Sequence, residues 1–120
     1  MTANGVTLTF PTSTESPREA RRGVVDALAL EGDLAANVAI LVSDAVTDRV
    51  LHDAEPIHVD ARWTRECLRI EVGGERSAPP TARRDDVHGR TLIDRLAARW
   101  GLHADGHTGV WFEMAADRMN

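Results

Sequence analysis

Asp44 and Asp48 stand four residues apart in the run Leu41-Val42-Ser43-Asp44-Ala45-Val46-Thr47-Asp48-Arg49-Val50-Leu51-His52, which has apolar residues at helical spacing. On a helix four residues make one turn, so the two carboxylates share a face. His52 extends the series to three potential metal ligands. One helix rarely supplies three ligands to one ion, because the ends of such a series are about 12 Å apart by helix rise. A solvated polar face is the simpler expectation. His103 and His107 flank a turn, where metal binding would be accidental. The five histidines are scattered and Ser43 has no paired base in sequence, so no Ser/His/Asp arrangement is supported. Cys67 is the single cysteine; it excludes an intrachain disulfide and reads as a reduced thiol. Every one of the 14 basic residues is arginine. Lysine chemistry, such as a P-loop lysine or a Schiff base, is therefore excluded.

These residues belong to a chain of 120, which predicts one domain, 1–120, with a real core. The composition, 42% hydrophobic and 28% charged, suits a soluble globular protein. A net charge of −5 argues against a direct nucleic-acid binder, which needs a basic face. No apolar run approaches the roughly 18 residues of a membrane span. Met1–Phe10 has no charged leader before an apolar core, so it does not read as a signal peptide. The expected location is the cytoplasm.

The elements that must position the aspartates follow from hydrophobic period. Val6, Leu8 and Phe10 alternate with Thr7 and Thr9, which predicts a half-buried strand ending at Pro11. Ser16-Pro17 reads as N-cap and N1 of a helix with Ala20, Val24, Ala27 and Leu28 inward, closed by Gly32. Asp33 can cap the next helix, which runs to about His52 and buries Leu34, Val38, Leu41, Val42, Ala45, Val46 and Val50. Ile57, Val59, Ala61 and Trp63 form one face of a strand. After a turn at Thr64-Arg65, Leu68, Ile70 and Val72 form one face of another, with Cys67, Arg69 and Glu71 opposite. Gly73–Asp86 lacks periodicity and reads as a mobile loop with the charge run Arg83-Arg84-Asp85-Asp86. A third helix is expected over Gly89–Trp100, with Leu92, Ile93, Leu96, Ala97 and Trp100 inward. A final hairpin is expected from Leu102 through a turn at Asp105-Gly106 to Val110, Phe112 and Met114. Trp111 falls opposite Val110 and Phe112. The predicted fold class is a two-layer α/β (α+β) sandwich, its mixed, mainly antiparallel sheet covered by helices on one face.

Several of these segments carry a resemblance. The helix around Asp44 and Asp48 resembles the signature helix of the anti-sigma-factor serine/threonine kinases, small members of the GHKL (HATPase_c) superfamily with a Bergerat-type ATPase fold. Leu68–Val72 looks like the strand entering that family's first glycine box. Leu92–Gly101, ending in Trp100-Gly101, is similar to the helix after its second glycine box. Gly109-Val110-Trp111-Phe112-Glu113 resembles its last strand.

The resemblance implies roles. Asp44 takes the general-base position, where the family usually has Glu. Asp48 takes the magnesium position, where it usually has Asn. In the first glycine box an Asp reads the adenine; here Gly74 stands there, or Glu75 if the register slips by one, with Arg76 following where a small residue is preferred. In the second box only Gly89 falls on the phosphate-cradling pattern, with Arg90 beside it as a phosphate contact. Asp in place of Glu shortens reach by roughly 1.5 Å, while a general base must lie about 2.6–3.2 Å from its hydroxyl. Asp48 suits magnesium as an oxygen ligand, but without the metal a carboxylate near a phosphate costs roughly 4 kcal/mol. Altered positions in three boxes point to weak or lost ATP binding, with no cofactor expected, or ATP and magnesium if the site works. The implied function is a regulatory protein in transcriptional control that binds a protein partner: a sigma factor, a STAS-domain antagonist or another regulator. The alternatives are an active ATP-dependent kinase phosphorylating a STAS-domain partner, and a homodimeric structural module without nucleotide.

Overall fold

A computed structural model describes residues 4–51, 56–65, 67–74, 87–102 and 109–115; for 87–91 it describes the backbone alone. The element order is β1 (Gly5–Phe10), α1 (Ser16–Ala27), α2 (Gly32–Leu51), β2 (Ile57–Trp63), β3 (Cys67–Gly74), α3 (Val87–Leu96), β4 (Arg99–Leu102) and β5 (Gly109–Ala115). The strands form one sheet in the order β1-β2-β3-β5-β4. All four pairings are antiparallel, so the parallel component expected of a mixed sheet does not occur among the described strands. The result is an α+β fold.

Alternation along the strands builds the core. Ile57, Val59 and Ala61 of β2, Leu68, Ile70 and Val72 of β3, and Phe112 and Met114 of β5 are buried. They meet Ala20 and Val24 of α1 and Val38, Leu41, Val42 and Val46 of α2 in one hydrophobic cluster. The residues between them on the strands, among them Asp60, Arg62, Arg69 and Glu71, lie on the opposite face of the sheet. Among the described residues no helix is long and apolar enough to cross a membrane.

The helix ends depart from expectation. Glu15, not Ser16, is the N-cap of α1, and no side chain caps it. Ser16 is fully buried and its Oγ donates to the Pro11 carbonyl at 2.7 Å instead, tying the helix start to the end of β1. Nor does Gly32 close α1. The helix ends at Ala27, and the left-handed residue after it is Ala29, with φ 52°. The Leu30 N–H reaches back to Val25 O and the Ala29 N–H to Asp26 O, the two bonds of a Schellman cap. Leu28 and Leu30 are buried on either side of Ala29 and hold it there. Gly32 has φ 65° and begins α2. A left-handed alanine costs about 1 kcal/mol or more. Ala29→Gly is therefore expected to stabilise the chain by about 0.5 kcal/mol, net of glycine's extra entropy loss. A raised urea midpoint checks it; a lowered one contradicts it.

Three further expectations change. Gly73 and Gly74 are not loop: they complete β3, paired with His58 and Ile57 of β2. Helix α3 stops at Leu96, and Trp100 lies on β4, opposite Phe112, rather than on the helix. The Ala98 N–H donates to Glu113 O, so the chain turns directly into the sheet. The Trp100 Nε1–H donates to Asp94 on α3, tying β4 back to that helix. Leu92 was expected inward but is exposed, while Ile93 is buried. His52, residues 75–86 and the Asp105-Gly106 turn lie outside the described residues.

Candidate functional site

The expected catalytic face belongs to α2. Val38, Leu41, Val42 and Val46 anchor that helix to the sheet, and this leaves Asp44 exposed and Asp48 half-buried on its outer flank. Both residues take part in polar or electrostatic contacts. Hydroxyls beside them turn inward to the helix: Thr47 Oγ1 donates to Ser43 O at 2.7 Å and Ser43 Oγ to Ile40 O at 3.3 Å. These back-bonds leave neither hydroxyl as a free nucleophile. Arg49, which sequence reasoning passed over, is buried to 3% exposure between the two flanks of α2. The only hint of it in the sequence is its spacing of seven and three residues from Val42 and Val46.

Helix α2 packs against β3 and α3, the elements that carry the other expected positions. Gly74 ends β3, buried and laddered to Ile57. With no side chain it offers no carboxylate to a base. Glu75 lies outside the described residues. Gly89 and Arg90 fall in the first turn of α3, where the backbone alone is described. What the described residues offer a nucleotide and its magnesium is thus two carboxylates on one helix face, without a base reader at Gly74.

An open cleft of about 530 Å³ lies elsewhere, between the start of α2, the end of α3 and the end of β5. Leu34, Leu96 and Met114 line it, with Glu31, Asp33 and Asn37 around it. Asp33 and Asp44 are eleven residues apart on one helix, roughly 16 Å by helix rise, so this cleft is not the expected site. Its acids sit at the N-terminus of α2, where the helix dipole favours them.

Among the described residues, the richest polar arrangement lies on the sheet face away from the core. Register aligns Thr7, Asp60, Glu71, Trp111 and Gly101 in one row across all five strands. The next row is Gly5, Arg62, Arg69, Glu113 and Arg99. Charges pair down and across these rows. Arg62 Nη2 donates to Asp60 Oδ2 at 2.6 Å, and Thr7 Oγ1 donates to Asp60 Oδ1 at 3.0 Å. Arg69 Nε donates to Glu71 Oε2 and its Nη1 to Glu113 Oε2, both at 2.9 Å. Arg99 Nε donates to Glu113 Oε1 at 2.9 Å, with a second bond from its Nη2. Burial works against the charge on Arg69, but its bonds to Glu71 and Glu113 prevail and raise its pKa. The Arg99 bond, with that from Arg69, holds the Glu113 carboxyl below its ordinary value despite partial burial.

Trp111 is part of the same assembly. The Arg69 guanidinium carbon stands 4.3 Å from its ring centroid, a cation–π stack. A Cβ on Gly101 would fall 2.8 Å from the indole nitrogen, so glycine is what lets the ring settle onto β4. Alternation along the chain correctly sets Trp111 opposite Val110 and Phe112. It does not reveal that an arginine covers the ring, because Arg69 lies 42 positions away and reaches it only through the β3–β5 register. Comparison of the chain with protein-family models and with curated proteins found no match for it.

Proposed function

We propose that this chain is a regulatory protein of the anti-sigma-factor kinase-like kind, acting by binding a protein partner, with ATP binding weak or lost. The observation that carries the proposal is Gly74. In the register that sets Gly74 where the resembling kinases read adenine with a carboxylate, this chain has a residue without a side chain, buried and paired with Ile57. An α+β fold with an antiparallel sheet and α2 packed on it is compatible with a Bergerat-type scaffold. The partner, on this reading, is a sigma factor, a STAS-domain antagonist or another transcriptional regulator in the cytoplasm, and a homodimer is compatible with it.

Calorimetric titration with ATP and magnesium tests the proposal. Binding weaker than about 100 μM, or none, is expected. A dissociation constant tighter than that, about −5.5 kcal/mol, overturns it and leaves the active kinase, with Asp44 as base and Asp48 on the metal.

A further inference from the structure

The edge of the sheet at β1 is built differently from the other edge. Among the described residues β1 has a neighbouring strand on one side only. Natural edge strands are usually guarded by charge, proline, a bulge or extreme shortness. At the far edge β4 is four residues long and begins with Arg99. By contrast β1 is Gly-Val-Thr-Leu-Thr-Phe, six residues without a charge or a proline.

Which backbone groups face that edge follows from the register. The Trp63 N–H donates to Asn4 O at 2.8 Å, and the same ladder continues through Val6↔Ala61, Leu8↔Val59 and Phe10↔Ile57. Antiparallel pairs alternate between bonded and non-bonded. Gly5, Thr7 and Thr9 therefore turn their N–H and C=O groups away from β2, toward the edge.

Helix α1 sets the chemistry beside it. Gly23 lies against Leu8 of β1: a Cβ there would be 2.9 Å from Leu8 Cδ1. Ala20 and Val24 face the core, and α1 packs laterally on α2. At about 100° per residue, the flank beyond Gly23, on the side away from α2, carries Glu15, Glu19 and Asp26, all exposed, with Arg22 and, further round, Arg18 as the nearby bases. A strand added to β1 would place every second side chain beside these carboxylates. A second copy joined edge to edge would set the same acids against themselves, on two chains of net charge −5 each.

We infer that β1 is a docking edge for an extended segment of a partner protein, added as a sixth strand, with basic residues at alternating positions. The inference rests on the protein-binding reading above and names where the partner sits. The backbone of Gly5, Thr7 and Thr9 supplies the ladder, and Glu15, Glu19 and Asp26 select the charge.

The probe is a labelled seven-residue peptide alternating arginine and threonine, with a control carrying glutamate for arginine, read by fluorescence anisotropy on the full chain. The arginine peptide should bind at least about tenfold tighter than the control. Thr7→Pro removes an outward N–H and spares the backbone bonds to β2; it also removes the Thr7 Oγ1 bond to Asp60, which Thr7→Val removes alone as the control. It should weaken arginine-peptide binding at least about tenfold while the circular dichroism spectrum stays unchanged. Glu19→Arg with Asp26→Arg should reverse the preference toward the glutamate peptide, and this variant decides the matter if Thr7→Pro does not fold. Equal binding to folded Thr7→Pro would show simple charge attraction and overturn the inference, as would no binding at about 1 mM or no reversal. These readings are independent of the ATP titration, so a failed docking edge and a working nucleotide site give different results.

Discussion

Phe112→Ala should destabilise the chain by about 3–5 kcal/mol. Phe112 is the largest fully buried side chain among the described residues, and its strand β5 lies between β3 and β4. Ile70 stands opposite it on one side and Trp100 on the other. Truncation to alanine removes its transfer free energy and leaves a cavity that two laddered strands cannot close. A domain of this size has about 5–15 kcal/mol in total, so the loss is a large share. Urea unfolding should show a lower midpoint with an unchanged slope. A loss under about 1 kcal/mol would mean that the sheet relaxes into the space and that the core is less tightly built than its burial implies.

The second large effect is electrostatic. Glu113 receives Arg69 on one carboxylate oxygen and Arg99 on the other, and its own side chain is only 9% exposed. Glu113→Gln keeps the shape and removes the charge. A fully buried broken pair costs about 3–5 kcal/mol. Here the arginine side chains are 29% and 72% exposed and can rehydrate, and Arg69 keeps Glu71 and Trp111. About 1–2 kcal/mol at neutral pH is therefore expected.

The pH dependence has a definite sign. The Glu113 pKa is held below its ordinary 4.5 by Arg99 and Arg69. The unfolded chain takes up that proton first as pH falls, so the stabilisation is complete above the ordinary value. It is lost as pH drops through the depressed folded value. The gap in stability between the wild-type chain and Glu113→Gln should be constant near neutrality and shrink in acid. Chemical unfolding at several pH values reads it, and a gap that grows in acid would refute the clamp.

Much of the fold was legible because the signals are local. Alternation in β1, β2 and β3 assigned each residue to a face, and helical spacing assigned Val38, Leu41, Val42 and Val46 to the core. The candidate face of Asp44 and Asp48 was legible for the same reason. Its degree of exposure was not, since that depends on how α2 rolls against β3 and α3. Trp100 misled because helical spacing from Leu92 onward continues through it. Pairing with Phe112 across the sheet outweighed that local pattern. Ala29 misled because a buried leucine on each side can hold an alanine where glycine would be easier.

The sequence by itself determined the inward faces of the strands and most of that of α2, because side-chain direction repeats with a period that neighbours in the chain already set. Only the tertiary structure decided which of them stand side by side. The strand order β1-β2-β3-β5-β4 and its registers bring Arg69, Glu113 and Arg99 into one row and lay Trp111 over Gly101. They also leave β1 at the edge. Register is a relation between distant segments, and no local period encodes it.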